Sequence, residues 1–460
     1  MNQEENRQRP RTRTRTVKKF NPVQRQYNQR KKKIAFYTLG CKLNFAETSA
    51  IARLFDSQYF ERVNYRTKAD IYVINTCTVT ENAAKKCKYE IRKMQRTNPR
   101  AFIVVMGCYS QISPDEIADI QGVDVILSQR EKFFITRYLG NMKKKTVPDL
   151  YSCEIQSITK FFPAYSIGDR TRSFLKIQDG CDYNCSYCIV PLARGVSRSG
   201  TVKDTVKQAE EVAEKGIKEV VLTGVNIGDF GKNTRENFFD VIKALEQVSG
   251  IERYRISSIE PDLLTNEIIE FVAGSKKYVN HLHLPLQSGS NKILKLMQRR
   301  YTKEIFEEKI HAIKGFIPDC GIGVDVICGF PGETENDFRE TYEFLEWLDI
   351  SYLHVFPFSE RKMTRAAEFP GKVPVETRNQ WSKELQNLSN RKQEYFYQLY
   401  MGKAFHVLFE AARQNDSMFG FTGNYIRIEH PYNEELVNTV QKVKLKSHNK
   451  QNNTILCEVV

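Results

Sequence analysis

The stretch LKIQDGCDYNCSYCIVP, residues 175–191, places Cys181, Cys185 and Cys188 at C-x3-C-x2-C spacing, directly after a run typical of a short strand. Three cysteines so close together are unusual as packing, because buried thiols are usually scattered through a core. A structural zinc site would need a second cysteine or histidine pair, and ferredoxins carry a fourth cysteine for each cluster; neither follows here. We therefore predict an iron–sulfur cluster with one iron open to a bound ligand.

The chain as a whole is long enough for two to four domains. No apolar run approaches the roughly 20 residues needed to span a bilayer, and the N-terminus has no apolar signal-peptide core. The 11 cysteines are unevenly spaced and do not resemble a secreted disulfide framework. We expect a cytoplasmic protein without a membrane partner.

The formal net charge of +15 is concentrated at one end, since residues 1–33 carry +10 of it. This segment has few large apolar residues, so we predict a disordered basic tail that binds polyanions by counterion release. The alternatives are a solvated leader without a partner, or an organelle transit peptide. Glu4, Glu5 and the lack of serine argue against the transit peptide.

Residues 34–137 alternate apolar runs with helical segments, which predicts an open parallel α/β domain. The runs IAFYTLG, DIYVINT and AFIVVMG each lead to a cysteine, namely Cys41, Cys77 and Cys108. Because ligands in such sheets gather at the carboxyl ends of the strands, these thiols are expected to converge on a second three-cysteine cluster. The alternative is buried structural thiols, the role expected for the other five cysteines: Cys87, Cys153, Cys320, Cys328 and Cys457.

The rest of the chain divides into three parts. Residues 138–170 contain polar stretches with prolines and glycines, which predicts a linker. Residues 171–395 hold six strands separated by helical segments, which predicts a partial (β/α)6 barrel with a trailing helix and with its chemistry at the carboxyl ends of the strands. Residues 396–460 predict a small β-barrel of a kind that often binds RNA. Its candidate RNA contacts are Arg427, Lys442, Lys444 and Lys446.

From about Lys33 to Val460 the chain resembles the radical S-adenosylmethionine (SAM) methylthiotransferases. The resemblance rests on TLGCKLN, INTCTVT, VMGCY, CDYNCSYCIVPLARG, LTGVNIG, HLPLQSGSNKILKLMQRRYT, VDVICGFPGET and HVFPFSERKMTRAA. Among the branches of that family, GCKLN, INTCTVT and HVFPFSERKMT are most similar to the MtaB type. The resemblance implies methylthiolation at C2 of N6-threonylcarbamoyladenosine at position 37 of tRNA, and a C-terminal TRAM domain that binds RNA.

The family also implies cofactors. One 4Fe–4S cluster on Cys181, Cys185 and Cys188 would cleave SAM, and an auxiliary 4Fe–4S cluster would handle sulfur, with two SAM molecules used per turnover. The auxiliary cluster would be held by Cys41, Cys77 and Cys108. The residues expected to contact SAM are Tyr187, Gly224, Asn226, Ser258, Glu260, Gln287 and Ser288.

The expected partners are the tRNA anticodon stem-loop, an electron donor such as flavodoxin or ferredoxin, and a sulfur source. A radical cofactor suits the reaction, because the C2 proton of adenine is far too weakly acidic for any side chain to remove. Two related functions stay open: MiaB-type methylthiolation of isopentenyladenosine, and RimO-type methylthiolation of a ribosomal protein aspartate. From a different class, an electron-transfer or iron–sulfur-sensing protein that binds RNA would not respond to SAM.

Overall fold

The computed structural model describes residues 30–168, 170–232 and 234–460. The predicted basic tail, residues 1–33, lies almost wholly outside the described residues. All 11 cysteines are described, and all are free thiols. Among the described residues, none of the helices has both the length and the apolar character that crossing a lipid bilayer requires.

The first domain is a parallel sheet of six strands in the order β2-β1-β3-β4-β5-β6. Strands β3 and β4 are buried along their whole length, which explains why both read as continuous apolar runs. The strands are β1 Lys32–Thr38, β2 Phe60–Val63, β3 Ile71–Thr76, β4 Phe102–Gly107, β5 Val125–Leu127 and β6 Asp149–Tyr151, and the helices are α1 Lys42–Ala52, α2 Glu81–Thr97, α3 Cys108–Ile112 and α4 Pro114–Ala118.

The segment predicted as a linker, residues 138–170, contributes to both flanking domains. Strand β6 extends the first sheet, and β7, Ala164–Tyr165, pairs antiparallel with the first barrel strand, β8, Ser173–Lys176. These two strands could not be predicted from the sequence, because each has only two or three residues and is too short to show a period in hydrophobicity. Prolines and glycines around them also favoured the interpretation as a linker. The first domain therefore extends beyond the predicted limit at residue 137.

The second domain contains six parallel strands in chain order, β8, β11, β12, β13, β14 and β15, so the predicted partial barrel is confirmed. Isolated bridges from Ser258 to His283 and from Tyr254 to Tyr278 join its two halves. Its remaining strands are β9 Gln178–Asp179, β10 Arg198–Ser199, β11 Glu219–Thr223, β12 Arg253–Ile256, β13 His281–Gln287, β14 Gly321–Cys328 and β15 Tyr352–Pro357.

Helices cover the outer face of this barrel. Along β13, Leu282, Leu284 and Leu286 join the helices in one apolar core, so the alternate residues His281 and His283 face the lumen. The helices are α5 Val190–Arg194, α6 Val202–Ala213, α7 Phe238–Glu246, α8 Asn266–Gly274, α9 Asn291–Leu296, α10 Lys303–Phe316, α11 Glu335–Trp347 and α12 Val375–Leu399. Short 3-10 segments cover Glu131–Arg137, Ile155–Ser157, Ile227–Asp229, Arg365–Glu368 and Glu434–Leu436.

Helix α1 of the first domain packs inside the barrel. Its Ala46 contacts an apolar group that includes Phe174 of β8 and Val221 of β11. The flanking residues Leu175 and Leu222 belong to the outer core, so Phe174 and Val221 must face the lumen. The first domain thus carries its own residues to the centre of the second.

The C-terminal domain is a closed five-stranded barrel in the order β16-β17-β18-β20-β19. Its strands are β16 Ala404–Gln414, β17 Ser417–Thr422, β18 Arg427–Pro431, β19 Val440–Asn449 and β20 Thr454–Val459. The loop after β17 docks at the amino ends of the large barrel's strands, where Arg253 and Arg255 donate to the carbonyls of Phe421 and Gly423, each at 3.1 Å. The predicted small β-barrel is confirmed and sits against the large one.

Candidate functional site

The C-x3-C-x2-C trio lies in a loop at the carboxyl end of β9. The Cys181 N–H donates to the Gly195 carbonyl at 3.0 Å, and the Cys188 N–H donates to the Cys185 carbonyl at 3.1 Å. Gly180 has a φ of +72°, and a Cβ on it would lie 2.0 Å from the Val196 oxygen, so only glycine fits before the first cysteine. These contacts fold the three thiols into one short loop.

Arg299 joins this loop to the far side of the barrel. Its guanidinium donates to Cys185 Sγ at 3.1 Å and to the Tyr187 hydroxyl at 3.5 Å, and it pairs with the Glu260 carboxylate. Burial raises the pKa of Glu260 to about 7, although Arg299 lowers it. The sequence motif LMQRRYT contains Arg299, but nothing in its spacing marked that residue as a neighbour of the cysteines.

The auxiliary trio lies at the carboxyl edge of the first sheet, as its strand ends predict. Cys41 caps α1, Cys77 follows β3, and Cys108 begins α3 directly after β4. Gly40 has a φ of +101°, and a Cβ on it would approach Cys77 Sγ to 3.0 Å. Glycine therefore allows the loop that carries Cys41 to pass close to Cys77.

Burial favours the protonated form of four thiols in the two trios. Burial raises the pKa of Cys77, Cys181 and Cys188 to about 12, and neighbouring cysteines raise it further. Burial also raises the pKa of Cys108, while the charges of Arg194 and Lys132 lower it. Metal binding must therefore displace the protons, as is usual for thiolate ligands.

A buried ionic network lies beside the auxiliary trio. Its members are the carboxylates of Glu47 and Asp179 and the cations of Lys132, Lys176, Arg194 and Arg198. Cations outnumber carboxylates, and Gln129 accepts from Lys132 and donates to Cys108 Sγ at 3.2 Å, so the positive surplus lies beside the trio. Excess buried charge needs compensation, and an anionic cluster held by three thiolates fits this environment.

Gly224 and Asn226, both predicted to contact SAM, lie in one loop whose backbone is held by Gln178. Gln178 Oε1 accepts from the N–H groups of Val225 at 2.9 Å and Asn226 at 2.8 Å, which fixes the loop that begins at Gly224. The Asn226 side chain is 2% exposed, and neither its amide nitrogen nor its oxygen has a hydrogen-bond partner within the described chain. A buried amide with both groups unpaired is costly, and a bound amino acid moiety could satisfy both groups.

The other predicted SAM contacts differ among themselves. Ser258 and Glu260 are half-buried at the end of β12, and Gln287 ends β13 with a φ of +70°, a strained value for a residue other than glycine. Ser288 does not fit the prediction, because it is fully buried and its hydroxyl is engaged by Thr341 Oγ1 at 3.2 Å and the Ser290 N–H at 3.2 Å. That serine stabilises a turn instead.

The two trios are joined through helix α1, since Arg194, six residues after Cys188, donates to Asn44 on the helix that Cys41 caps. The charge of Asp325, on β14, acts on the pKa of Lys42 beside the auxiliary trio and on the pKa of Glu260 beside the other. Lys42 is accessible but enclosed by protein, and burial lowers its pKa to about 8. Sequence reasoning missed Lys42 as a site residue, since one lysine after a cysteine has no distinctive pattern.

The predicted RNA contacts fall in two places. Lys442, Lys444 and Lys446 are exposed and alternate with the buried Val443 and Leu445, so the three lysines share the outer face of β19. Arg427 lies apart from them, on β18, where its guanidinium stacks 4.8 Å from the Phe419 ring centroid. The small barrel therefore has one basic face and one separate arginine.

The five cysteines outside the trios keep the structural interpretation. Cys87, Cys320 and Cys328 are buried in the cores, and Cys153 and Cys457 are half-buried. The Cys87 thiol donates to the Cys77 carbonyl at 3.3 Å, which supports the loop of a predicted ligand.

Comparison with known families gives two matches. The Radical SAM superfamily profile matches residues 175–345, and the profile of Uncharacterized protein family UPF0004 matches residues 33–128. The first match covers the C-x3-C-x2-C loop and confirms the expected use of SAM and one 4Fe–4S cluster. A solved methyltransferase, TsrM from Kitasatospora setae, aligns with a TM-score of 0.51 at 13% identity over 71% of this chain and 73% of its own, which supports the fold alone.

Named relatives match most of the chain. "Threonylcarbamoyladenosine tRNA methylthiotransferase MtaB" of Bacillus subtilis (strain 168) is 40% identical, over 90% of this chain and 93% of the relative. The protein of that name from Aquifex aeolicus (strain VF5) is 37% identical, over 86% and 96%. "tRNA-2-methylthio-N(6)-dimethylallyladenosine synthase" of Clostridium tetani (strain Massachusetts / E88) is 32% identical, over 82% and 85%. With two cysteine trios at strand ends and this similarity along nearly its whole length, the chain belongs to the radical SAM methylthiotransferase family.

Proposed function

We propose that this protein methylthiolates C2 of N6-threonylcarbamoyladenosine at position 37 of tRNA, giving 2-methylthio-N6-threonylcarbamoyladenosine. The observation that carries the proposal is the pair of three-cysteine sites, joined through Arg194 and α1, within a chain 40% identical to a relative named for this reaction. Replacing the hydrogen on C2 by sulfur, and adding a methyl group to that sulfur, are two kinds of chemistry at one position. Two sites joined in this way suit that requirement.

We assign two 4Fe–4S clusters to the two trios and two SAM molecules to each turnover. When bound, these groups supply hydrogen abstraction at C2, sulfur and the methyl group. Cys181, Cys185 and Cys188 would leave one iron open for SAM, and the unpaired amide of Asn226 would receive the amino acid moiety of SAM. Arg299 would orient this site through its hydrogen bonds to Cys185 and Tyr187.

The second cluster is proposed on Cys41, Cys77 and Cys108. Support comes from their position at strand ends and from the positive surplus of the buried network beside them. Helix α1 begins at Lys42 and packs within the barrel, so the sulfur site would lie close to the SAM site. That proximity would allow one bound base to contact both the SAM site and the sulfur site.

The target base must leave its stack to enter the lumen, which costs a few kcal/mol. Phosphate contacts from the basic face of β19 and from residues 1–33 would offset this cost without reading sequence. We therefore propose the anticodon stem-loop of tRNA as the RNA partner, an electron donor such as flavodoxin or ferredoxin, a separate sulfur source, and the cytoplasm as the place of action.

The decisive experiment is mass spectrometry of tRNA nucleosides from cells lacking this gene, complemented with the wild type, Cys181→Ala or, as a matched control, Cys457→Ala. We expect 2-methylthio-N6-threonylcarbamoyladenosine to be lost in the deletion. It should return with the wild type and Cys457→Ala but not with Cys181→Ala. Loss of methylthio-isopentenyladenosine alone would favour a MiaB-type substrate instead. No change in either nucleoside would favour a RimO-type protein substrate.

A further inference from the structure

Three side chains on adjacent strands of the large barrel form a hydrogen-bonded chain in the lumen. His283 Nε2 lies 2.8 Å from Asp325 Oδ1, and His354 Nδ1 lies 3.3 Å from the same oxygen. The two imidazole rings are 4.8 Å apart. Burial raises the pKa of Asp325, but the two histidines lower it more strongly, so the carboxylate is ionised and holds both rings in place.

The chain becomes more accessible from His283 to His354. The side-chain exposure rises from 11% at His283 through 21% at Asp325 to 52% at His354. A charge-supported histidine that is half exposed inside a barrel is open to a ligand. Neither histidine is needed to hold the two cysteine trios, so the assignment of the two clusters leaves this group without a role.

Lys42 brings a cation to the same place from the other domain. It follows Cys41 directly, and the charge of Asp325 acts on its pKa. Lys42 is the first residue of helix α1, which packs inside the barrel that carries His283 and His354. An ammonium group from α1 and two imidazoles from the barrel strands are thus carried within one barrel.

An aromatic surface lies next to this group. Phe356 is two residues after His354 on β15, so both share one face and stand roughly 7 Å apart along the strand. Phe356 is 44% exposed, which is high for a phenylalanine inside a barrel. An exposed ring in an RNA-modifying enzyme is suited to stacking on a base.

A hollow links this group to the small barrel. It has a volume of about 280 Å³ and runs along the open edge of β15, where its lining includes Tyr352, His354, Tyr425 and Arg427. The separate arginine of the small barrel therefore lies beside the exposed histidine. An RNA strand bound to the small barrel can therefore reach the lumen along the polar side chains that line this hollow.

We propose that Lys42 and the His283–Asp325–His354 chain bind the carboxylate-bearing N6 substituent of the target adenosine, while Phe356 stacks on its base. This inference rests on the proposed function and names the residues that select its substrate. An ammonium and imidazole N–H groups match carboxylate and carbonyl oxygens. A dimethylallyl group would leave these donors unpaired, which is how a polar pocket rejects an apolar analogue.

Binding of two RNA stem-loops tests the pocket. They share one sequence and carry either N6-threonylcarbamoyladenosine or unmodified adenosine at the target position. Dissociation constants are measured for wild type, His354→Phe and Lys42→Met, with His311→Phe and Lys383→Met as controls on exposed helix faces. We expect each pocket variant to reduce the preference for the modified RNA by about tenfold, the worth of one charge-assisted hydrogen bond, and to bind the unmodified RNA normally. The controls should behave as wild type.

Iron content and SAM binding are measured in parallel, because Lys42 adjoins a proposed ligand, whereas His354 lies in the other domain. Full preference in His354→Phe with intact iron would overturn the pocket, and so would an equal loss of affinity for both RNAs. A wild type that does not prefer the threonylcarbamoyl RNA would overturn the proposed function itself and the pocket with it. The two failures are therefore distinguishable.

Discussion

Lys176 Nζ on β8 lies 2.8 Å from Glu47 Oε1 on α1, and both side chains are fully buried. This ion pair joins the first domain to the barrel, and Glu47 also accepts from Lys132 at 2.6 Å and from Arg194 at 3.1 Å. The charges of these three cations hold the pKa of Glu47 well below its usual range despite its burial. Glu47 therefore pairs with three buried cations at the interface, two of which, Lys176 and Arg194, also pair with Asp179.

Glu47→Gln should destabilise the protein strongly, because it keeps the side-chain shape but leaves Lys132 without a carboxylate and Lys176 and Arg194 with Asp179 alone. We expect the free energy of unfolding to fall by about 3 to 5 kcal/mol, the range for breaking a buried pair from one side. Chemical denaturation followed by near-UV circular dichroism measures it. Glu81→Gln is the control, since the Glu81–Lys85 pair is largely exposed and its loss should be hardly measurable. Equal effects of the two changes would contradict the role assigned to Glu47.

Gly180→Ala should remove the cluster proposed on the C-x3-C-x2-C loop. An added methyl group would lie 2.0 Å from the Val196 oxygen, so the loop must move. Gly168→Ala is the matched control, because Gly168 has a similar φ of +79° but no atom within 4 Å of the added carbon. We expect iron per chain after reconstitution to fall by about half in Gly180→Ala only, since the auxiliary trio is untouched. Full iron loading of Gly180→Ala would be inconsistent with this.

The parts of the site that depend on local pattern could be predicted from sequence. The six barrel strands are apolar runs separated by amphipathic helices, and both cysteine trios follow strand ends, where parallel sheets place their ligands. The order of the elements was therefore sufficient to anticipate the two trios without coordinates.

The rest depends on contacts between residues distant in the chain. Glu47 and Lys176 are 129 positions apart, and Arg299 and Cys185 are 114 apart. Neither Glu47 nor Arg299 has a local signal, because a glutamate in an amphipathic helix is ordinarily read as solvent-facing. No periodicity of hydrophobic residues predicts that α1 packs inside the barrel, because that packing depends on tertiary contacts.

Glu333 should make stability depend on pH. Burial raises its pKa to about 7, although it accepts from the N–H groups of Gly329 and Phe330. Its pKa in the unfolded chain is about 4.3, so the folded protein holds the proton more tightly than the unfolded chain does. The stabilisation from the protonated carboxyl is therefore fully present below about pH 4.3 and is lost as the pH rises through about 7. Glu333→Gln stays neutral throughout.

The unfolding free energy of Glu333→Gln relative to wild type should therefore rise by about 2 to 3 kcal/mol between pH 5 and pH 8. Denaturant titrations at several pH values measure this difference. Glu368→Gln, at an exposed position, serves as the control, and its difference from wild type should not change with pH. A flat difference for Glu333→Gln would show that this carboxyl is already ionised in the folded protein.

The basic face of β19 should contribute to the salt dependence of RNA binding. Each phosphate contact adds about 0.7 to 0.9 to the slope of log K against log salt. Lys446 already pairs with Glu458, and Lys444 lies opposite Glu458 on β20, whereas Lys442 lies opposite His406 on β16. We therefore expect Lys442→Ala to flatten the slope most among the single changes, by about one phosphate contact, and Lys446→Ala to flatten it least. Deleting residues 1–33 should flatten the slope further while SAM cleavage persists.

A slope unchanged by the triple substitution of Lys442, Lys444 and Lys446 would mean that RNA binds elsewhere on the protein. The separate Arg427 would then be the next residue to change.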